Sequence, residues 1–163
     1  MMLETNIELL GCVPIFQGLT QDQLSAIANK GRKTYVSEGA TIVRAGDKGD
    51  TAYLILTGLA ITDPQDGSGL IADTLDPGTL VGELAMLVET THTLTVKAKA
   101  RVRALALERA DLYQVMEADP SIAHHFAEKL VDRLIMLGSE LRQVDTQFAA
   151  LELSLDHRIA MAG

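Results

Sequence analysis

The sequence contains no Trp, one Cys and four Pro, and aromatic residues make up only 4% of it. The lone Cys12 excludes an internal disulfide. It leaves the redox compartment open, with a reducing cytosol as the default and a cytoplasmic location expected. No apolar run is long enough to span a bilayer. The N-terminal residues, Met-Met-Leu-Glu-Thr-Asn-Ile-Glu, carry acid where a secretory leader carries base, so neither a membrane span nor a signal peptide is expected. Cations are scarce too. The 14 Lys and Arg stand against 22 Asp and Glu, a formal net charge of −8, which argues against a nucleic-acid-binding surface apart from a local patch. Metal ligands are thin. His124 and His125 are adjacent, and adjacent residues on a helix do not share a face; His157 stands alone. There is no His-x-His or His-Glu-x-x-His spacing, so no metal site is expected, which counts against a cupin-type barrel enzyme. No Ser/His/Asp or Cys/His arrangement presents itself, and no glycine-rich turn carries the Lys of a P-loop, so the chain is not expected to be an enzyme. What is present suffices for a core. Apolar residues make up 47% of the 163 positions, enough for one domain and an appendage.

Read in order, residues 4–10 have helical apolar spacing and run into Gly11 and Pro14. Thr20 with Gln23 makes a capping box for a helix whose face is Leu24, Ile27 and Ala28, with Gly31 at the expected stop. The pattern then changes to short strands, predicted at 41–43, 52–56, 59–62, 70–74, 94–98 and 102–107. Turn residues separate them: Glu38-Gly39, Ala45-Gly46-Asp47, Thr57-Gly58, Asp66-Gly67 and Asp76-Pro77-Gly78. Many short strands at this spacing predict a mainly β fold, an antiparallel barrel or jelly roll with flanking helices. Residues 109–118 read as a short helix ended by Asp119-Pro120. From Ala123 the apolar positions fall at Ala127, Leu130, Leu134, Leu137, Leu141, Val144, Phe148, Leu151 and Leu155, alternating steps of four and three. That is a coiled-coil seam. A helix over 121–155 would be roughly 50 Å long, too long to bury its stripe on one small barrel, so the seam predicts a partner helix and a homodimer. The alternative is a fold-back at Gly138-Ser139, since one Gly costs only about 1 kcal/mol inside a helix.

The most informative stretch is 82–96, Gly-Glu-Leu-Ala-Met-Leu-Val-Glu-Thr-Thr-His-Thr-Leu-Thr-Val. Gly82 lets backbone approach a ligand without a Cβ in the way. The short turn after it offers N–H groups where an anion is favoured. Glu83 can accept hydroxyl protons from a sugar. The stretch resembles the phosphate-binding cassette of the cyclic nucleotide-binding domains, the family of the bacterial catabolite activator and the kinase regulatory subunits. That cassette reads roughly G-E-[LIV]-A-[LM]-x, a short loop, then P-R-x-A-[ST]-V. Gly82, Glu83, Leu84, Ala85 and the Thr95-Val96 ending match in identity and spacing, and so do the glycine turns upstream. The Pro-Arg pair is replaced by Thr91-His92.

The resemblance implies a jelly-roll (double-stranded β-helix) domain over 1–119 and a long dimerisation helix over 120–163. It implies that Glu83 accepts the ribose 2′-hydroxyl and that the N–H groups of Leu84 and Ala85 face the phosphate, with cyclic AMP or cyclic GMP as effector. It places His92 where the family arginine pairs with phosphate, with the Thr93 hydroxyl in reach. In the resembled regulators the middle of the long helix, here Leu137, Gly138 and Ser139, reaches the base of the nucleotide. There the chain continues into a helix-turn-helix domain; residues 156–163 hold none, so no direct DNA binding by this chain is expected. Other readings remain beside these. Glu83 can be a helix-start carboxylate stabilised by the dipole, worth about 0.3–1 kcal/mol. His92 can be a loop residue at an abandoned site. The two functions to separate are therefore a sensor of a cyclic nucleotide or related anion, signalling through its dimer helix, and an interaction module of the same fold that has lost its ligand.

Overall fold

A reciprocal hydrogen-bond pair starts the first well-defined element. The Gln23 N–H donates to Thr20 Oγ1 at 3.2 Å and the Thr20 N–H to Gln23 Oε1 at 3.0 Å, so the expected capping box opens α2 (Gln21–Lys30). It follows α1 (Met2–Cys12) and a 3-10 turn, Pro14–Phe16. Leu24, Ile27 and Ala28 form the buried face of α2. Gly31 ends the helix in an extended conformation, φ −66°, and its lack of a side chain serves space: a Cβ there would lie 2.5 Å from Leu105 Cδ1. The computed structural model describes residues 2–63 and 71–162.

The β elements are β1 (Arg32–Val36), β2 (Thr41–Val43), β3 (Lys48–Gly49), β4 (Thr51–Thr57), β5 (Ala60–Thr62), β6 (Thr74–Leu75), β7 (Leu80–Val81), β8 (Thr90–Thr91), β9 (Val96–Ala98) and β10 (Val102–Glu108). They form two four-stranded sheets, ordered β1-β10-β4-β7 and β2-β9-β5-β6, and a two-stranded ribbon of β3 and β8. Every pairing is antiparallel. The fold is the expected jelly roll. Ile55, Val81, Val102 and Ala104 from the first sheet meet Val43, Ala60, Val96 and Ala98 from the second in one core. Leu54 is as fully buried as Ile55 although successive side chains point to opposite faces. Helices account for this, with α1 packed on β4 and α2 on β10. A strand covered on both faces reads as a continuous apolar run, which is the pattern of residues 52–56.

Two expectations need correction. The strand predicted at 70–74 is a strand only from Thr74, with the Asp73 carbonyl accepting the Thr62 N–H at 3.0 Å just before it; Ile71 is 86% exposed, while Leu70 and the Asp66-Gly67 turn lie outside the described residues. The strand predicted at 94–98 begins at Val96; the buried Thr95 just before it accepts the Asp63 N–H on its carbonyl at 2.8 Å and the Ala45 N–H on its hydroxyl at 2.9 Å. The fold-back at Gly138-Ser139 does not occur. After α3 (Arg109–Ala118), α4 runs unbroken over Pro120–Ala162, 43 residues. The chain divides into two compact units between His125 and Phe126. In the second unit Leu134, Leu141, Phe148 and Leu151 are all exposed.

The start of α4 is set by Asp119. Its Oδ1 accepts the Ser121 N–H at 3.1 Å, as an N-cap does with Pro at the first helical position, and its Oδ2 accepts from Gln23 Nε2 at 3.1 Å. These hydrogen bonds, from the Ser121 hydroxyl first and Gln23 second, hold the Asp119 carboxyl below its ordinary value. A carboxyl whose folded value is depressed adds stability that is present above its unfolded value and lost as pH falls through the folded one. Asp119→Ala is therefore expected to lower the thermal midpoint at pH 7, with the gap to wild type closing as pH drops below about 4. A gap that is constant with pH in thermal melts would contradict the capping role.

Candidate functional site

Beyond β7 the chain must reverse within one residue. Gly82 does so in the left-handed region, φ 72° and ψ 36°, and delivers the chain into a 3-10 turn over Glu83–Met86. A side chain at this backbone conformation is strained, and a Cβ would sit 3.0 Å from Cε1 of His92 and 3.4 Å from the Thr51 carbonyl oxygen. Gly49 of β3 approaches the same ring from elsewhere: a Cβ there would overlap His92 Nε2. Two glycines thus make the slot in which the imidazole lies. The backbone of His92 is equally fixed. Its N–H donates to the Asp47 carbonyl at 2.9 Å and its carbonyl accepts the Gly46 N–H at 2.8 Å, which extends the β3–β8 ribbon. Gly82→Ala is expected to destabilise the domain by about 1–2 kcal/mol from backbone strain alone, measurable in urea melts; an unchanged midpoint would show that the turn relaxes.

His92 lines two cavities. One, of about 240 Å³, has apolar walls that include Val43, Leu80, Val81 and Val96, with Gly82 and Thr93 beside the ring. The other, of about 320 Å³, is polar and includes Arg44, Asp47, Lys48, Asp50 and Tyr53. Burial, with Asp50 nearby, pushes the Tyr53 hydroxyl above its usual range.

Of the residues singled out from sequence, Gly82, His92 and Thr93 come together on the apolar cavity. Glu83, Leu84 and Ala85 lie on the adjoining turn, where Leu84 is exposed, Ala85 is buried and the Ala85 N–H donates to the Gly82 carbonyl at 3.0 Å. Leu137, Gly138 and Ser139 lie on α4 in the second unit, with Leu137 and Ser139 exposed. Sequence reasoning missed three contributors. Gly49 backs the imidazole, while Arg109 and Tyr113 of α3 bind the far end of the turn, Tyr113 through its hydroxyl to the Leu87 carbonyl at 2.6 Å. Among the described residues no group of three His, Cys, Asp or Glu side chains is placed to hold a metal ion.

The profile of the cyclic nucleotide-binding domain matches residues 33–119, more than half of the chain. The chain belongs to this family. A cyclic nucleotide-gated potassium channel of Mesorhizobium japonicum is 30% identical over 129 residues, covering 78% of this chain and 35% of the channel. A cyclic AMP receptor protein of Thermus thermophilus is 28% identical over 130 residues, covering 78% of this chain and 60% of that protein. In fold, the domain is similar to the N-terminal domain of a transcriptional regulator from Streptomyces coelicolor A3(2), with a TM-score of 0.71, 24% identity and coverage of 82% of this chain and 94% of that one. The chain spans about a third of the length of the first curated relatives it matches, 35% in each case. No helix among the described residues is long and apolar enough to cross a membrane.

Proposed function

We propose that this cyclic nucleotide-binding domain is a sensor that takes a cyclic nucleotide, cyclic AMP or cyclic GMP, at the Gly82–Thr93 cradle and signals through α4. The observation that carries the reading is the meeting of the left-handed Gly82, the His92 ring and Thr93 at the edge of an apolar cavity. Apolar walls suit a base, and a glycine-led turn with hydroxyl and imidazole donors suits a phosphate. Glu83, first in that turn, is the candidate for the ribose hydroxyl. In this proposal α4 pairs with the same helix of a second copy, because its four-three apolar stripe is exposed.

A second reading has its own support. The imidazole already fills the space between Gly49 and Gly82, and the position carries no permanent cation. This favours an interaction module of the same fold that no longer takes a nucleotide. Calorimetric titration with cyclic AMP and cyclic GMP separates the two. Saturable heat with either nucleotide, abolished by Glu83→Ala, supports the sensor. No heat with either would leave the interaction module.

A further inference from the structure

We propose that Arg109 is a positioning residue for the cassette: it touches no part of the cavity but sets the width of the slot that holds His92. The inference rests on the proposed sensor reading for its functional consequence, though not for its geometry. Arg109 opens α3 directly after β10, and its Nη1 donates to the Val88 carbonyl at 2.8 Å. The same nitrogen reaches the Ala85 carbonyl at 3.3 Å and the Gly49 carbonyl at 3.4 Å. Ala85 and Val88 bracket the end of the turn that Gly82 begins, whereas Gly49 is the β3 residue that backs the imidazole. One guanidinium therefore ties together the turn on one side of His92 and the ribbon on the other.

The chemistry suits the place. Carbonyls at the end of a helical turn carry partial negative charge, and a cation there complements it. Hydrogen bonds from a charged donor are the stronger kind, and here a single guanidinium nitrogen serves carbonyls on both walls of the slot. Tyr113, one helical turn further on, adds its hydroxyl to the Leu87 carbonyl at 2.6 Å, so α3 grips the turn at two successive levels.

The test reads the slot directly. The imidazole proton–carbon signal of His92 is followed by NMR in ligand-free wild type, Arg109→Met, Arg109→Lys and Tyr113→Phe, with the signal assigned from His92→Gln. Arg32→Met is the control; it removes an exposed ion pair to Glu108, 3.0 Å long, at the neighbouring position. Arg109→Met is expected to move the His92 signal and to weaken cyclic AMP binding about tenfold or more, as expected for losing charge-assisted bonds that hold a binding turn. Arg109→Lys should give a smaller shift and partial recovery, Tyr113→Phe a shift of the same sense, and Arg32→Met none. A folded Arg109→Met protein with an unmoved His92 signal overturns the proposal. If that variant does not fold, Tyr113→Phe decides by the same criterion. If wild type binds no cyclic nucleotide, the sensor reading fails, yet the ligand-free signal still decides the role of Arg109.

Discussion

His92→Arg is expected to tighten cyclic AMP binding by roughly 1.5–3 kcal/mol, or about ten- to hundred-fold. The imidazole lies in a slot bounded by Gly49 and Gly82 at the edge of the apolar cavity, and the longer Arg side chain reaches further into that cavity. An anionic phosphate is paired more strongly by a permanent, forked cation than by an imidazole. Calorimetric dissociation constants of the two proteins check this. Equal affinities in the two proteins would remove His92 from the phosphate site. No binding by either would leave the interaction module standing.

The same slot shows what a sequence can and cannot reveal. The jelly roll was legible because its central strand β4 is an apolar run between Gly49 and Gly58 and other glycine turns punctuate the short strands, and the cap of α2 is a local pattern. The cassette was legible because Gly82, Glu83, Leu84, Ala85 and the Thr95-Val96 ending match the pattern of the family it resembles. Strands β3, β7 and β8 were not, since two residues have no periodicity to read. Strand β1 hides for another reason: Arg-Lys-Thr-Tyr-Val is mostly exposed and shows no apolar alternation, and its place is set by pairing with β10. The role of Arg109 was invisible because its acceptors are backbone carbonyls 21, 24 and 60 residues away, and a carbonyl leaves no mark on sequence. Gly49 looked like any turn glycine until the His92 ring appeared beside it.

Leu134→Glu combined with Leu141→Glu is expected to convert a dimer into a monomer in light scattering. Both side chains are about two-thirds exposed in the single chain, at 68% and 65%, and both sit on the four-three stripe that continues through Val144, Phe148 and Leu151. A parallel or antiparallel pairing of two such helices would bury these positions in a knobs-into-holes seam. Each fully buried Leu contributes roughly 1.5–3 kcal/mol, and the double substitution removes four of them from a dimer while placing four carboxylates in the seam. That loss, about 6–12 kcal/mol before the buried carboxylates are counted, is comparable to the roughly 8 kcal/mol that holds a micromolar dimer. Replacing the exposed Glu140 and Asp145 by Gln and Asn, off the stripe, should leave the mass of the species unchanged. Wild-type protein already monomeric at tens of micromolar, or a double variant that stays dimeric, would sink the helix pairing. The fate of nucleotide binding in the same variant then separates two further cases. Retained affinity places the whole site within one subunit, and lost affinity means that the second copy completes it.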